Sequence, residues 1–492
     1  MPRPIPLYPP GIERALSRGL LILAALALLP FLALCAYNHP LGVHEWDWIG
    51  GWEGRFAGGS FWAEQAYWYR TTMGRYASTA LLALTDVWYT PERFGAFFVL
   101  STLALPAAFF AWVRALRPRD PARLTGAIAG VITAAYLFQL SGVYDSLYRL
   151  SSVLTYQVGL VASLAFGALL LGELDAKGGW GRQLALWLLG VVAVGCNEIS
   201  LMAVNLMVIL LWVHYQFSGY VPLRLQAVML MVGAATLAAL LAPGNFGRMD
   251  AYAGELSAGA WLLRTLGACV FIWTDWLGDG FMLPLALLTI ILVVRDRRAP
   301  SPSAASRPGL WLAMLALMLP LGVGLVQWSS KGASLPERVI DLIYAYTLLA
   351  WLGFWQAFAL RRAVTFRRYR AHPLFLGAVA LYCVLKLFFA GLAIDRNRPA
   401  AEVTSYWDQV TVTSPIGQAW RTLLSGEAAA YHQVKLRQYA QLRACAADTC
   451  RVERPERYPP LLYDPLADRL STGERGMPRA FGQAGKVAKY GE

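Results

Sequence analysis

Two acids alternate with aromatic residues in the segment HEWDW, residues 44–48, which follows the first long apolar run. In extended backbone Glu45 and Asp47 would share one face and the indoles of Trp46 and Trp48 the other, because successive side chains point to opposite sides. An aromatic belt at a membrane surface explains the indoles but not the acids between them. Since a carboxylate can deprotonate a hydroxyl, both acids are candidate catalytic residues; a pair of solvated loop acids is the alternative interpretation.

Six further motifs place polar side chains within or beside apolar runs, where such residues are expensive and usually face a cavity. They contain Arg75 in MGRY; Tyr144, Asp145 and Arg149 in VYDSLYR; Asn197 and Glu198 in GCNEIS; Asn245 and Arg248 in APGNFGR; Asp275 and Asp279 in TDWLGDG; and Lys331, Glu337 and Arg338 in KGASLPER. Guanidinium and ammonium groups can hold a phosphate, and aromatic rings can stack on sugars or bracket an isoprenoid chain. These residue types therefore favour transfer of a sugar from a lipid phosphate.

Two of these pairs have a plain structural alternative. Asn197 and Glu198 interrupt an apolar run of about 35 residues, in which an unpaired carboxylate would cost several kcal/mol; the alternative is the tip of a helical hairpin. Arg248 and Arg338 each follow a proline within a few residues. Short irregular loops of this kind can orient a guanidinium toward an anion, and the alternative is snorkelling to lipid headgroups.

The elements that carry these motifs are membrane spans. Of 492 residues, 57% are hydrophobic and only 15% are charged, whereas a soluble domain carries about 25% charged residues. Apolar runs of about 17 to 25 residues predict an all-α polytopic protein with about eleven spans. The runs lie near 18–37, 94–113, 122–140, 152–173, 183–217, 224–242, 281–295, 309–328, 338–360 and 373–394, of which 183–217 is long enough for a helical pair. The first run is too long for a cleaved signal, so we expect it to remain as an anchor.

The basic residues predict the orientation of these spans. The net charge is +13, and Lys and Arg in loops normally mark the cytoplasmic side. Four clusters do so here: Arg3, Arg14 and Arg18; Arg114, Arg117, Arg119 and Arg123; Arg295, Arg297, Arg298 and Arg307; and Arg361, Arg362, Arg367, Arg368 and Arg370. They share one side only if segments 74–89 and 256–276 do not cross the bilayer, so we expect both to be interfacial helices at the outer face. The N-terminus is then cytoplasmic, the C-terminus is periplasmic, and the polar motifs collect at the periplasmic face.

Two long segments are expected outside the bilayer: a first outer loop at 38–93, within a transmembrane domain of residues 1–394, and a tail at 395–492. The tail is polar and mixed in charge, and it predicts a small periplasmic domain of mixed α and β structure. Cys445 and Cys450 could form a small disulfide loop in an oxidising compartment or remain two free thiols. The other cysteines lack metal-ligand spacing and are expected in the core; they are Cys35, Cys196, Cys269 and Cys383.

The plan of the chain resembles the GT-C class of integral membrane glycosyltransferases, which use lipid-phosphate sugar donors. The shared features are an acidic motif in a long first outer loop, many further spans and a periplasmic C-terminal domain. The motifs HEWDW, MGRY, GCNEIS, LAPGNFGR and SLPER also look like those of a bacterial family grouped with these enzymes, in order and spacing over most of residues 15–400. The resemblance is weak over the tail.

The resemblance implies an inverting transfer at the periplasmic face of the bacterial inner membrane, with an acid of the first outer loop as catalytic base. By position this role falls on Asp47, and Glu45 is the alternative base or a metal or acceptor ligand. The donor phosphate would be bound by Arg75, Arg248, Lys331 and Arg338, and the substrates by Trp46, Tyr144, Asp145, Asn197, Glu198 and Asn245. A divalent metal, Mg²⁺ or Mn²⁺, stays open, because some GT-C enzymes need one while no His or Asp cluster here has convincing spacing. The expected partners are a polyprenyl-phosphate-linked sugar, a glycan or other envelope acceptor and the lipid bilayer, without nucleic acid.

Two other classes of protein stay open. An O-antigen polymerase or ligase is also polytopic and acts on polyprenyl diphosphate through arginines, but it usually carries its large periplasmic loop between late spans. A transporter or flippase for lipid-linked glycans would be expected to show internal repeats or paired broken helices, which the sequence lacks. A P-loop and a GxGxxG motif after a strand are also missing, so neither a nucleotide-driven pump nor a dinucleotide enzyme is supported.

Overall fold

The computed structural model describes residues 10–41, 45, 60–85, 94–118, 120–174, 179–251, 257–278, 281–295, 307–330, 335–362, 379, 381–387, 392–394, 410–412, 414–453, 459, 461–462 and 487–490. Contacts and counts below concern these residues. Three residues of the predicted site, Trp46, Asp47 and Lys331, lie outside them.

Most of the described chain is helical. The helices up to residue 361 are α1 (Pro10–Cys35), α2 (Phe61–Thr71), α3 (Tyr76–Ala83), α4 (Phe94–Leu116), α5 (Ala122–Phe138), α6 (Val158–Leu174), α7 (Trp180–Cys196), α8 (Glu198–Phe217), α9 (Leu223–Leu240), α10 (Pro243–Ala251), α11 (Ala258–Gly278), α12 (Met282–Arg295), α13 (Pro308–Ser329) and α14 (Glu337–Arg361). A helical turn at Leu150–Ser152 and a π-helical turn at Val153–Gln157 lead directly into α6.

Seven helices of the described part are long and apolar enough to cross a bilayer, which confirms the prediction of a polytopic helical membrane protein. They are α1, α4, the helix from Leu150 that ends as α6, α8, α9, α13 and α14. Two shorter apolar helices, α5 and α7, accompany them. Helix α11, which covers the predicted interfacial segment, forms a pair with α12 that is bent by 60°. The total of about eleven spans stays a prediction.

The apolar run at 183–217 folds as two helices because of one buried amide. Asn197 has extended backbone between α7 and α8, and its Oδ1 accepts a hydrogen bond from the Ser200 N–H at 2.8 Å. This is the preferred cap of a helix N-terminus. The Nδ2 of Asn197 donates to the Thr155 carbonyl at 2.7 Å. The cap therefore also fixes where α8 begins relative to the π-helical turn before α6.

One end of the bundle, here called the site end, is where α1 and α5 end and α8 and α14 begin. The turn at residues 139–149 lies at this end, and two buried side chains hold it. Asn38, just after α1, donates from Nδ2 to the Tyr148 carbonyl at 2.8 Å. Asp341 of α14 accepts from the Ser141 N–H at 2.8 Å and from the Ser146 hydroxyl at 2.6 Å. The turn is therefore fixed to α1 on one side and to α14 on the other.

The tail contains helices α15 (Pro415–Leu424) and α16 (Glu427–Ala444) and two small sheets. Strand β1 (Leu392–Ile394) pairs antiparallel with β2 (Val410–Val412), and β3 (Thr449–Val452) pairs parallel with β4 (Val487–Tyr490). The first of these strands lies just before the predicted boundary at 395. Cys445 and Cys450 form a disulfide, which is one of the two alternatives left open by the sequence.

The described helices of the tail pack on the bundle. The indole Nε1 of Trp420 in α15 donates to the carbonyl of Leu26 in α1 at 2.9 Å, and His39 contacts Tyr439 of α16 at 2.8 Å. Ile416, Ala419 and Tyr431 belong to the same apolar core as the spans. Helix α16 therefore lies at the site end.

Candidate functional site

Glu198 is the centre of a first ion-pair cluster at the site end. Glu198 is the first residue of α8, and its carboxylate accepts hydrogen bonds from Nη2 of Arg75 at 2.8 Å and from Nη2 of Arg248 at 3.0 Å. Arg75 also donates from Nε to both carboxylate oxygens at 3.1 Å. One carboxylate is thus shared by two guanidinium groups that come from separate segments, the residue before α3 and helix α10.

A close approach of two backbones brings those segments together. The Gly74 N–H donates to Oδ1 of Asn245 at 3.0 Å, and Nδ2 of Asn245 donates to the Ala239 carbonyl at 2.8 Å. A Cβ on Gly74 would lie 1.9 Å from the Ala239 oxygen, and one on Gly244 would lie 2.3 Å from the Thr72 nitrogen. Only glycine fits at either position, so Arg75 and Arg248 reach Glu198 because of their glycine neighbours.

Replacing Gly244 by Ala is therefore expected to push α10 away from residue 72 and to destabilise the protein by about 1 to 3 kcal/mol, as overpacking does. Gly247→Ala, three residues further along α10, is the matched control, since its Cβ would be 4.0 Å from the nearest atom outside the helix. The comparison is made by thermal unfolding in detergent. Equal melting temperatures for the two variants would contradict the backbone approach.

Asp145 is the centre of a second cluster of the same kind. Its carboxylate accepts from Nη1 of Arg149 at 2.9 Å and from Nη1 of Arg338 at 2.7 Å. Asp145 and Arg149 belong to the turn before α6, and Arg338 is the second residue of α14. Again two guanidinium groups share one carboxylate.

Tyr156 lies between the two clusters. The guanidinium carbon of Arg75 is 5.7 Å from the centroid of its ring and that of Arg338 is 5.5 Å away. Both distances are in the range of cation–π contacts. The clusters on Glu198 and Asp145 are therefore two halves of one site, here called the arginine site: Arg75, Asp145, Arg149, Tyr156, Glu198, Arg248 and Arg338.

The arginine site is positively charged and partly open. Its four guanidinium groups face two carboxylates, which leaves an excess of two positive charges. The charged side chains are 20 to 26% exposed, so solvent or a ligand reaches them. Guanidinium groups in such a surrounding bind phosphate or carboxylate through short charge-assisted hydrogen bonds. The arrangement is suited to an anionic ligand.

Glu45 lies beside the arginine site but is completely buried. Its Oε2 accepts from the Leu41 N–H at 2.6 Å and from the Tyr144 hydroxyl at 3.1 Å, and its Oε1 accepts from the Leu150 N–H at 2.5 Å. Burial raises the pKa of the Glu45 carboxyl to about 7, against the opposing effect of these hydrogen bonds and of Arg149. The side chain ties the end of α1 to the first turn of the helix at Leu150.

The predicted residues in the described part of the chain lie in one connected region: Glu45, Arg75, Tyr144, Asp145, Asn197, Glu198, Asn245, Arg248 and Arg338. Asn197 and Asn245 use their amides on the backbone and on Ser200. No group of three or more His, Cys, Asp or Glu side chains in this part could hold a metal ion, and the question of Mg²⁺ or Mn²⁺ stays open.

Sequence reasoning missed Tyr156 and Asp341. Tyr156 follows the polar motif at 144–149 by seven residues and reads as one more apolar core residue. Asp341 carried a usable signal, because an acid three residues after Arg338 in an apolar helix is expensive unless it has partners. Those partners are the serines of the turn at 139–149.

No family model matches the chain, and no curated protein or solved structure matches it either. The resemblance to GT-C enzymes therefore rests on the plan of the chain and on the order of its motifs.

Proposed function

We propose that the protein is a membrane glycosyltransferase that moves a sugar from a polyprenyl-phosphate donor to a glycan or other cell-envelope acceptor. The observation that supports this most is the arginine site, in which four guanidinium groups share two carboxylates around one aromatic ring. A lipid phosphate at a membrane-protein surface is the anion that this charge and this exposure suit best.

In this proposal the arginines bind the donor phosphate and stabilise it as it leaves. Glu198 and Asp145 hold the guanidinium groups in place, but neither carboxylate neutralises its two partners. When the bond between the sugar and the phosphate oxygen breaks, negative charge develops on that oxygen. Fixed positive charges at such a position stabilise the transition state more than the ground state. Lys331, outside the described residues, would add to the same group.

Asp47 is proposed as the general base. The acceptor hydroxyl would attack the anomeric carbon, its proton would pass to the Asp47 carboxylate, and polyprenyl phosphate would leave with the electron pair of the broken bond. Glu45 supports this step as a positioning residue, because its buried carboxylate fixes the segment two residues before Asp47. The site end would then face the periplasm, with the N-terminus in the cytoplasm and about eleven spans between it and the tail.

Binding of the lipid phosphate tests the donor side of the proposal. Arg248→Ala leaves Glu198 with Arg75 alone, so the first cluster loses its excess charge and binding of undecaprenyl phosphate should weaken roughly 10- to 100-fold. Arg248→Lys keeps the charge but loses the planar fork and should weaken binding less. Binding is measured by native mass spectrometry on the purified protein.

The control for this experiment is Arg224→Ala, because Arg224 is an exposed arginine at the far end of α9. It should bind undecaprenyl phosphate as the unaltered protein does. Equal affinity in Arg248→Ala, Arg338→Ala and the control would remove both arginines from the donor site.

A second candidate function, transfer from a polyprenyl diphosphate as in an O-antigen polymerase or ligase, is favoured by the duplication of the arginine cluster. The groups on Glu198 and Asp145 each place one arginine against the Tyr156 ring and could take one phosphate each. The two functions differ in the lipid that is released, since one yields a polyprenyl monophosphate and the other a diphosphate.

A further inference from the structure

Helix α16 of the tail closes over the end of α1 through a buried histidine. His39 is 2% exposed. Its Nδ1 lies 2.8 Å from the hydroxyl of Tyr439, and its Nε2 lies 2.8 Å from Nδ1 of His432. Both ring nitrogens of His39 are thus engaged by residues of α16. No local sequence pattern predicts this contact, because the partners are separated by about 400 residues.

Aromatic packing makes the contact specific. The rings of His39 and His432 are stacked with their centroids 4.9 Å apart. Tyr431 meets the His39 ring edge-on at 6.0 Å, and Tyr37 meets the His432 ring edge-on at 5.8 Å. The ammonium of Lys435, a residue only 1% exposed, lies 5.4 Å from the centre of the Tyr431 ring. A cation is therefore already buried beside the two imidazoles.

The geometry limits how many protons the pair can hold. Two ring nitrogens 2.8 Å apart have room for one hydrogen between them, so one must donate and the other must accept. If both imidazoles were fully protonated, two N–H groups would point at each other. The titratable groups that lie against the pair are Tyr431, Lys435 and Tyr439 on α16 and Tyr37 beside His432. A second proton on the pair is opposed by Lys435.

The pKa shifts of His39 and His432 agree with this limit on the number of protons. Burial, with the charges of Lys435 and His432, lowers the pKa of His39 well below its usual range, and burial also lowers the pKa of His432. A histidine whose pKa is lower when α16 is docked than when it is undocked favours docking. This contribution to the free energy of docking is complete above the pKa of a free histidine, about 6.5. That contribution is lost as the pH falls below it, because the undocked state then binds more protons.

The contact leads directly to the predicted catalytic segment. Two residues after His39, the Leu41 N–H donates to Glu45, and one residue before it Asn38 holds the Tyr148 carbonyl. Tyr431 is close enough to Tyr144 to raise the pKa of its hydroxyl, to which burial and Glu45 contribute more. That hydroxyl is the one that donates to Glu45. Helix α16 is therefore linked, through His39 and Tyr431, to two of the three groups that donate to this carboxylate.

We propose that His39 and His432 form a latch by which α16 holds Glu45 in place, and that the second proton taken up by the pair opens it. His39 and His432 are then positioning residues, which act through Glu45 and do not touch the substrate. The part that concerns transfer rests on the proposed function, whereas the docking of α16 does not.

Hydrogen exchange on the full-length protein in nanodiscs tests the docking. Protection of α16, corrected for the intrinsic exchange rate at each pH, should be high at pH 7.5 and should fall below about 6.5, by up to about tenfold per pH unit for each proton taken up. His432→Asn keeps an acceptor near the position of Nδ1 and leaves only His39 to take up a proton, so its protection should fall less steeply with pH than that of the unaltered protein. His214→Asn, in α8 far from the latch, should behave as the unaltered protein does.

A second variant keeps the test decisive if the Asn side chain fails to dock. Lys435→Met removes a neighbouring positive charge, so α16 should undock at a lower pH than in the unaltered protein. Protection of α16 that does not change between pH 7.5 and 5, or that falls equally in the unaltered protein, His432→Asn and Lys435→Met, would overturn the latch. Transfer activity should decline over the same pH range. If transfer persists while α16 is undocked, the latch does not position Glu45.

Discussion

Replacing Asp47 by Asn is expected to lower the rate of sugar transfer by about 10² to 10⁴, which is the usual effect of removing a general base. Asn is nearly isosteric with Asp but cannot accept a proton from the acceptor hydroxyl. Because the first loop is held at Glu45 and His39, the exchange should leave expression and melting temperature unchanged. The measurement is transfer by purified protein together with thermal unfolding of the same samples.

The comparison with Glu45→Gln makes this result specific. If Asp47→Asn retains full transfer while Glu45→Gln loses it without loss of stability, the two acids exchange roles. If both variants transfer at the normal rate, the glycosyltransferase proposal loses its mechanism.

Replacing Glu45 by Ala is expected to lower stability and transfer together. The Leu41 and Leu150 N–H groups would lose their acceptor in a buried place. A buried donor without a partner costs about 1 to 3 kcal/mol, so the free energy of unfolding should fall by at least about 2 kcal/mol. Asp250→Ala, which removes an exposed acid of α10, is the control and should melt as the unaltered protein does. An unchanged melting temperature in Glu45→Ala would contradict its role as a tie between α1 and the helix at Leu150.

Glu45 should also make the stability of the protein depend on pH, with a sign opposite to that of the histidine latch. The pKa of the Glu45 carboxyl is raised from 4.5 to about 7 in the folded protein. Its contribution to stability is then complete below about 4.5 and is lost as the pH rises through about 7. The difference in melting temperature between the unaltered protein and Glu45→Gln isolates this effect, because the histidines are present in both.

Many of the helices could be predicted because a membrane-spanning helix needs a long run of apolar residues. The length of the run 183–217 predicts a helical pair, and a hairpin tip at Asn197 and Glu198 is the structural alternative for these two residues. The sequence also predicts that Arg75, Glu198 and Arg248 come together, since a charged side chain beside a membrane span is energetically unfavourable without a partner. The sequence could not assign those partners. The sequence predicts that Arg248 binds a phosphate, and the structure shows that it pairs with Glu198.

The parts that were missed depend on long-range packing. The contacts between His39 and the residues Tyr439 and His432 join positions about 400 residues apart, and no local pattern marks them. Glu45 is a candidate catalytic acid by its sequence, with a solvated loop acid as the alternative, whereas the fold buries it against Tyr144 and two backbone N–H groups. Tyr156 reads as a core residue until one arginine of each cluster is seen against its ring.

One reconstitution tests whether the protein transfers a sugar and releases polyprenyl phosphate. Purified protein in proteoliposomes is given the lipid-linked sugars and an extract of the envelope glycans, as acceptor, from cells that produce it, and mass spectrometry follows the lipid products. We predict that the sugar-linked lipid declines while polyprenyl monophosphate appears, and that Asp47→Asn in the same vesicles leaves the donor intact. Release of polyprenyl diphosphate would point to a polymerase or ligase, and lipid-linked sugar that crosses the bilayer with its phosphate bond unbroken would contradict the account.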